Sequence, residues 1–164
     1  MTPINKALVG IAILLLLLLI TIDWQQQHDK PTPLTPLQPQ QVKRIAINNL
    51  LFFHKQKDLW LTDNPGQTVN QERIWQLLRI TQTPSLRRFA ASPENIRAFV
   101  LDKPAYRLQL DDLELLFGTT DPINHWRYVQ VGDSIHLIGD GFLHHLQAPM
   151  SGFLQTSPAA GKKP

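Results

Sequence analysis

The chain has 164 residues, of which 43% are hydrophobic, and this length and composition suit one domain with a buried core. It contains no cysteine, which excludes disulfides, thiolate catalysis and any cysteine-ligated zinc or iron–sulfur site. The net charge is +3 and the 16 basic residues are dispersed, so the sequence indicates no nucleic-acid-binding surface.

A long apolar stretch near the N-terminus is the strongest signal in the chain. It carries no charged residue, and its run of six leucines makes the predicted helix apolar on every side. With Lys6 at one interface and Trp24 at the other, its length comes near the roughly 30 Å of a bilayer core. We therefore expect residues 1–24 to form a transmembrane anchor. The membrane anchor includes Ala7, Leu14, Leu19, Ile22 and Trp24.

A cleaved secretory signal shares a basic start and an apolar stretch, but it needs a small-residue cleavage site afterwards. Asp23, Trp24 and three glutamines follow Ile22 instead, which favours an uncleaved signal-anchor and a single-pass membrane protein. From the positive charges beside the stretch, we predict that Met1 to Lys6 lie in the cytoplasm and that the domain is exported.

Two segments of biased composition flank the predicted domain. Residues 25–41 contain prolines at positions 31, 33, 36 and 39, which favour an extended polyproline II spacer that holds the domain off the bilayer. Residues 155–164 contain no apolar residue larger than alanine, which is typical of a disordered tail. The extramembrane domain is thus predicted over residues 42–154.

The first half of this domain predicts three strands followed by two helices. The strands form a meander broken at Asn48–Asn49 and at Gln56–Asp58. Thr68 and Gln71 have the spacing of a capping box, and apolar positions recur at helical spacing after them. The apolar stripe consists of Ile74, Leu77, Leu78 and Thr81. A shorter helix follows, with Ser92 as its N-cap.

The second half predicts two hairpins. In the first, a turn at Asp111–Asp112 places six apolar side chains on one face and leaves Arg107 and Glu114 on the other. The facing pairs are Leu110 with Leu113, Leu108 with Leu115, and Tyr106 with Phe117. We therefore predict an α+β fold of antiparallel hairpins and a meander with two or three helices.

The second hairpin has its turn at Gly132–Asp133 and carries the polar residues that most resemble a site. Its register pairs Val129 with His136 and His125 with Asp140, and we expect one face to form the core. That expected core face consists of Trp126, Tyr128, Ile135 and Leu137. The opposite face, our candidate surface, carries His125, Arg127, His136 and Asp140.

Two interpretations of the candidate surface remain open. In the first it is a partly solvated strand face with an ion pair between Arg127 and Asp140, which contributes little to stability. In the second its four polar residues bind a small ligand or catalyse a reaction. A shared metal is disfavoured, because His125 and His136 lie roughly 13 Å apart along the strands, whereas both ligand nitrogens of a zinc pair lie about 2.0–2.1 Å from the ion.

Other polar residues give weaker signals. His144 and His145 are adjacent and so do not form an i, i+4 metal pair on a helix; we expect one to pack and the other to face solvent. The sequence contains no G-x-S-x-G, phosphate-loop or H-E-x-x-H motif. We therefore assign no catalytic residue, no metal ligand and no cofactor.

Several short segments, taken in order after the apolar stretch and the proline segment, carry a family resemblance. They are "RIAI", "DLWLTDNP", "IWQLLRI", "FVLDKPAYRLQL", "ELLFGTTDPI", "RYVQV" and "SIHLI". In this order they resemble the uncharacterised bacterial domain-of-unknown-function 4340 type, with about one copy of a unit that longer relatives repeat. The resemblance covers residues 42–146 and implies a location in the cell envelope and an accessory role beside transporter components. It transfers no catalytic residue.

The leading hypothesis is therefore a non-enzymatic, single-pass protein of the bacterial inner membrane. Its periplasmic α+β domain would bind a protein partner as an interaction or accessory subunit of an envelope complex. The alternative is a periplasmic domain that binds a small ligand or acts as an enzyme through His125, Arg127, His136 and Asp140.

Overall fold

The structure is a computed structural model that describes residues 32–155. The predicted membrane anchor, the first part of the predicted stalk and residues 156–164 of the predicted tail lie outside the described residues. Within residues 32–155, every helix falls short of the length and apolar character that crossing a membrane requires.

The described residues have the predicted α+β fold, built on one eight-stranded sheet. The strands are β1 (Arg44–Ile47), β2 (Leu51–Gln56), β3 (Leu59–Leu61), β4 (Arg87–Ala90), β5 (Tyr106–Leu110), β6 (Leu113–Thr120), β7 (Arg127–Val131) and β8 (Ser134–Ile138). The helices are α1 (Gln71–Leu78), α2 (Pro93–Ala98) and α3 (Leu143–Leu146), with 3₁₀ turns at Pro39–Gln41, Arg79–Gln82 and Met150–Phe153. The order is β3-β2-β1-β5-β6-β7-β8-β4, and every neighbouring pair is antiparallel.

The meander and both hairpins form with the predicted registers. Leu108 pairs with Leu115 in the first hairpin, and Val129 pairs with His136 in the second. The tight turns contain residues with positive φ, among them Asp111 at 53° and Gly132 at 54°. Because a two-residue turn fixes which residues face each other, the turn signals were sufficient to define these pairings.

Helix α1 buries the predicted stripe but begins differently from the prediction. Ile74, Leu77 and Leu78 are fully buried. The N-cap is Asn70, whose Oδ1 accepts a hydrogen bond from the Arg73 amide at 3.1 Å. The predicted capping box of Thr68 and Gln71 is wrong, because the Gln71 amide group instead bonds the backbone of Trp60.

Helix α2 begins as predicted. The Ser92 hydroxyl accepts a hydrogen bond from the Asn95 amide, and Pro93 occupies the first helical position. Proline fits that position because its missing N–H would have no partner inside the helix.

The main core lies on one face of the sheet, here called the inner face. The apolar face of the first hairpin, including Leu108 and Phe117, packs there in one cluster with the buried side of α1. Val129 and Ile138 of the second hairpin belong to the same cluster. The inner face therefore also carries Arg127 and His136, since side chains on a strand alternate with period two.

A second, smaller apolar cluster covers the opposite, outer face at the β6–β7–β8–β4 end. Phe99, just after α2, stacks on Tyr128 with ring centroids 3.8 Å apart, and both rings pack near Phe89. Ile135 and Leu137 are buried on this face. The prediction that this face forms the principal core is wrong, since Trp126 and Tyr128 are only half-buried. These strands carry covered apolar residues on both faces, and the larger cluster lies on the inner face.

Residues 32–41, here called the N-terminal strap, pack against the domain. The amides of Leu34 and Thr35 donate to the carbonyls of Thr83 and Thr81, at 2.8 and 3.1 Å. Leu34 is buried in the main core. The prediction of an extended spacer is therefore wrong for this part of residues 25–41, because apolar residues between the prolines are drawn into the core.

Candidate functional site

The four residues of the candidate surface do not converge on one site. His125 is exposed in a turn with φ 56°, outside β7, which begins at Arg127. The expected pairing of His125 with Asp140 is therefore wrong. Arg127 and Asp140 bind each other, whereas His136 lies two residues away along the strand pair, opposite Val129.

The predicted ion pair between Arg127 and Asp140 forms, and it is largely shielded from solvent. Arg127 Nε and Nη2 lie 2.5 and 3.0 Å from the two carboxylate oxygens, and Nη1 donates to the Gly118 carbonyl at 2.6 Å. The two side chains are only 11% and 28% exposed. Because every guanidinium nitrogen is engaged, this pair ties β6, β7 and the end of β8 together and offers little to a ligand.

His136 is buried, contrary to the expectation of an exposed position. It is 7% exposed, and its Nδ1 lies 2.9 Å from the Ser85 hydroxyl oxygen. Burial, and secondarily the charge of Arg88, lower the pKa of His136 below its usual 6.5, which keeps the ring neutral at pH 7. The Ser85 hydroxyl also lies within hydrogen-bonding distance of the Arg87 carbonyl, at 3.1 Å. If the hydroxyl donates there, the ring donates through Nδ1 and Nε2 carries the lone pair.

A cleft of about 510 Å³ opens beside this pair, between the N-terminal strap and the sheet. We call it the strap cleft. Its polar lining is Thr32, Thr35, Ser85, Arg87, Arg88 and His136, and no carboxylate of the described part of the chain lines it. Arg88 lies directly opposite His136 in the register of β4 and β8, and its Nε and Nη2 donate to the Ser134 hydroxyl at 3.0 and 2.7 Å.

A second cleft, of about 820 Å³, lies beside α3. His145 is buried, and His144 is exposed with its ring centroid 3.9 Å away, as predicted for one packed and one solvated ring. Burial, with smaller effects of the charges of His144 and Arg73, lowers the pKa of His145 to about 4. Among residues 32–155, no group of three or more histidine, aspartate or glutamate side chains is placed to hold a metal ion.

The outer face of β3, β2, β1 and β5 is exposed, in contrast to the covered end of the sheet. We call it the open face. Phe52 and Leu59 are 48% and 54% exposed there. Three close pairs of polar side chains lie on or beside it: Arg44 with Asp112 at 3.2 Å, His54 with Asp63 at 3.7 Å, and Arg107 with Glu114 at 2.9 Å. A groove of about 380 Å³ runs beside Phe52.

Sequence reasoning missed the strap cleft because it missed β4. The segment of Arg87 to Ala90 carries two arginines in four residues, which gives little strand signal at the edge of a sheet. The signal that could have found it is the aromatic Phe89, a residue type that favours strands, directly after the two arginines. The described residues thus define a small α+β domain with a basic cleft and an open sheet face. The chain matches no protein-family model, no curated protein and no solved structure.

Proposed function

We propose that the chain is a single-pass protein of the bacterial inner membrane whose periplasmic domain binds a partner protein through the open face. One observation carries the proposal: a single continuous sheet is covered on its outer face by α2 and Phe99 at one end, while Phe52 and Leu59 stand exposed at the other. Exposed apolar groups framed by polar residues are typical of protein-binding surfaces.

The composition of the open face fits a reversible contact. Aromatic residues and arginine are enriched in protein interfaces, and a polar rim around an apolar centre is their usual arrangement. Phe52 supplies an aromatic anchor, and Arg44 and Arg107 are already held by carboxylates on the same side. These arginines are therefore already neutralised, and the partner that the open face fits presents an apolar patch.

The strand edge adds a second recognition element. β3 lies at one end of the sheet and is three residues long, so its outward backbone groups have no strand beside them in the described part of the chain. A partner strand can add to such an edge, and Leu59 would lie at that junction. We expect the partner to contact both Phe52 and Leu59.

The membrane anchor is the other half of the proposal and rests on the apolar stretch between Ala7 and Ile22. A C-terminal alkaline phosphatase fusion tests the orientation, because the enzyme is active only outside the cytoplasm. We expect an active phosphatase fusion and a dark green-fluorescent fusion. The reverse pattern would place the domain in the cytoplasm and contradict a periplasmic partner.

Crosslinking in intact cells followed by pull-down of the full chain tests the partner. We expect a reproducible adduct with one envelope protein, lost in the variant Phe52→Glu, because a carboxylate at the centre of an apolar contact is costly to desolvate. Ile123→Glu is the matched control, since Ile123 is 81% exposed in the loop between β6 and β7. An adduct pattern that Phe52→Glu leaves unchanged would contradict the proposal.

A further inference from the structure

The strap cleft has the donor groups of an anion site. Arg88 uses Nε and Nη2 to bond Ser134, which fixes the guanidinium plane and leaves its remaining N–H groups, Nη1 included, for a ligand. The hydroxyl of Ser85 and the imidazole of His136 lie on the same inner face, because Arg88 and His136 are directly paired in the β4–β8 register. The cleft therefore presents a fixed cation beside neutral hydrogen-bonding groups.

The charge balance of the lining favours an anion over a cation. Among residues 32–155, Arg87 and Arg88 line the strap cleft and no aspartate or glutamate does. The groove beside Phe52 differs in this respect, because Asp63, Asp111 and Asp112 line it. An arginine fork matches the oxygens of a phosphate group, and a charge-assisted hydrogen bond is roughly twice as strong as a neutral one.

The position of the cleft along the chain suggests the source of the phosphate. Thr32, the first described residue, lines the strap cleft. It follows Trp24, the end of the predicted anchor, by eight residues. Even a fully extended chain of that length spans only roughly 26–29 Å. Thr32 therefore cannot move farther than this from the end of the predicted anchor, and phospholipid headgroups lie within its range.

We propose that the strap cleft binds a phosphate group through Arg88, beside the neutral pair of Ser85 and His136, and that this group belongs to an anionic phospholipid headgroup. The phosphate chemistry rests on the cleft alone, whereas the lipid source rests on the membrane anchor of the proposed function. Binding there would hold the strap side of the domain at the membrane surface and leave the open face available to a partner.

The test uses the full chain purified in neutral-detergent micelles and titrated with three probes: phosphatidylglycerol, phosphatidylcholine and inorganic phosphate. Titration calorimetry gives each dissociation constant, and the NMR signals of the imidazole rings report where binding occurs. We expect phosphatidylglycerol to bind and to shift the resonance of His136 but not that of exposed His125. Zwitterionic phosphatidylcholine should bind at least tenfold more weakly.

Arg88→Gln is the decisive variant and Arg44→Gln its matched control. Both remove one exposed arginine and one positive charge, but Arg44 pairs with Asp112 on the open face. We expect Arg88→Gln to weaken phosphatidylglycerol binding at least tenfold, and Arg44→Gln to change it less than twofold. Equal weakening by both variants would show general charge attraction, and the site would be refuted.

The remaining outcomes separate the two phosphate sources and the two proposals. Tighter binding of phosphatidylglycerol than of inorganic phosphate, lost in Arg88→Gln, supports the lipid headgroup. If phosphatidylglycerol and inorganic phosphate bind equally tightly and both lose binding in Arg88→Gln, the phosphate site is supported and the lipid source is overturned. If neither phosphatidylglycerol nor inorganic phosphate binds, the proposed site is overturned. Phe52→Glu should retain lipid binding while losing the partner adduct, so failure of one proposal leaves the other testable.

Discussion

The His136 imidazole and the Ser85 hydroxyl lie 2.9 Å apart and join β8 to the segment that leads into β4. Both partners come from parts of the chain 51 residues apart in sequence. Because His136 is buried, losing this contact affects both hydrogen bonding and packing.

Replacing His136 with alanine should therefore destabilise the domain by about 1–3 kcal/mol, the cost of a lost buried hydrogen bond together with lost packing. His125→Ala, at an exposed position, should change the free energy of unfolding by about 0.5 kcal/mol or less. Denaturant melts of a fragment spanning residues 32–155 measure both. Equal effects of the two substitutions would contradict the burial of His136.

The comparison of these histidines shows what the sequence could and could not predict. The register of the second hairpin followed from Gly132, so the facing of Val129 and His136 was predicted correctly. The face that holds the main core was not predicted correctly. Val129 and Ile138 on one face, and Ile135 on the other, are all buried, and alternation alone cannot rank two faces that both carry apolar residues.

The strap illustrates a different difficulty. Four prolines are typical of an extended spacer, and composition carries no information on a tertiary contact such as the burial of Leu34. The same holds for the strap cleft, which needs Ser85 and His136 from distant segments. Local signals predicted the turns, the cap of α2 and the apolar stripe of α1, whereas the cleft arises from long-range packing.

Leu34→Ala should destabilise the domain by about 2–4 kcal/mol, since truncating a buried leucine loses apolar burial and leaves a cavity. Leu50→Ala is the control, because Leu50 is exposed in the turn between β1 and β2 and its truncation should cost little. A thermal or denaturant melt of each variant provides the comparison. A strap that acted only as a spacer would give two indistinguishable curves.

Gly118→Ala should be strongly destabilising, by about 1–3 kcal/mol or more. A Cβ at Gly118 would lie 2.1 Å from the Phe99 carbonyl oxygen, so β6 and the segment after α2 would have to separate. Gly139→Ala provides the control, because a Cβ there meets no atom within 4 Å. Equal midpoints for the two variants in urea would show that α2 does not pack on β6 in this way.

The domain should lose stability as the pH falls from about 6.5 towards 4. The pKa of His145 is about 4 in the folded chain and near 6.5 when unfolded, so the unfolded chain binds more protons in this window. At pH 5 the expected loss relative to neutral pH is on the order of 2 kcal/mol. The lowered pKa of His136 acts in the same direction.

His145→Leu should remove most of this pH dependence, because leucine has no proton to gain. It should also be tolerated at neutral pH, since the Nδ1 of His145 is buried with no hydrogen-bond partner among residues 32–155. Urea melts at pH 5 and pH 7 give the comparison. A variant with the pH dependence of the native chain would place the responsible group elsewhere.

The open face is the central claim, and a photo-activated crosslinker placed at position 52 of the full chain in intact cells tests it most directly. We expect a single reproducible adduct with an envelope protein from position 52, a weaker one from position 59, and none from position 123. Adducts formed equally from positions 52 and 123, or from position 123 alone, would contradict a partner site on the open face.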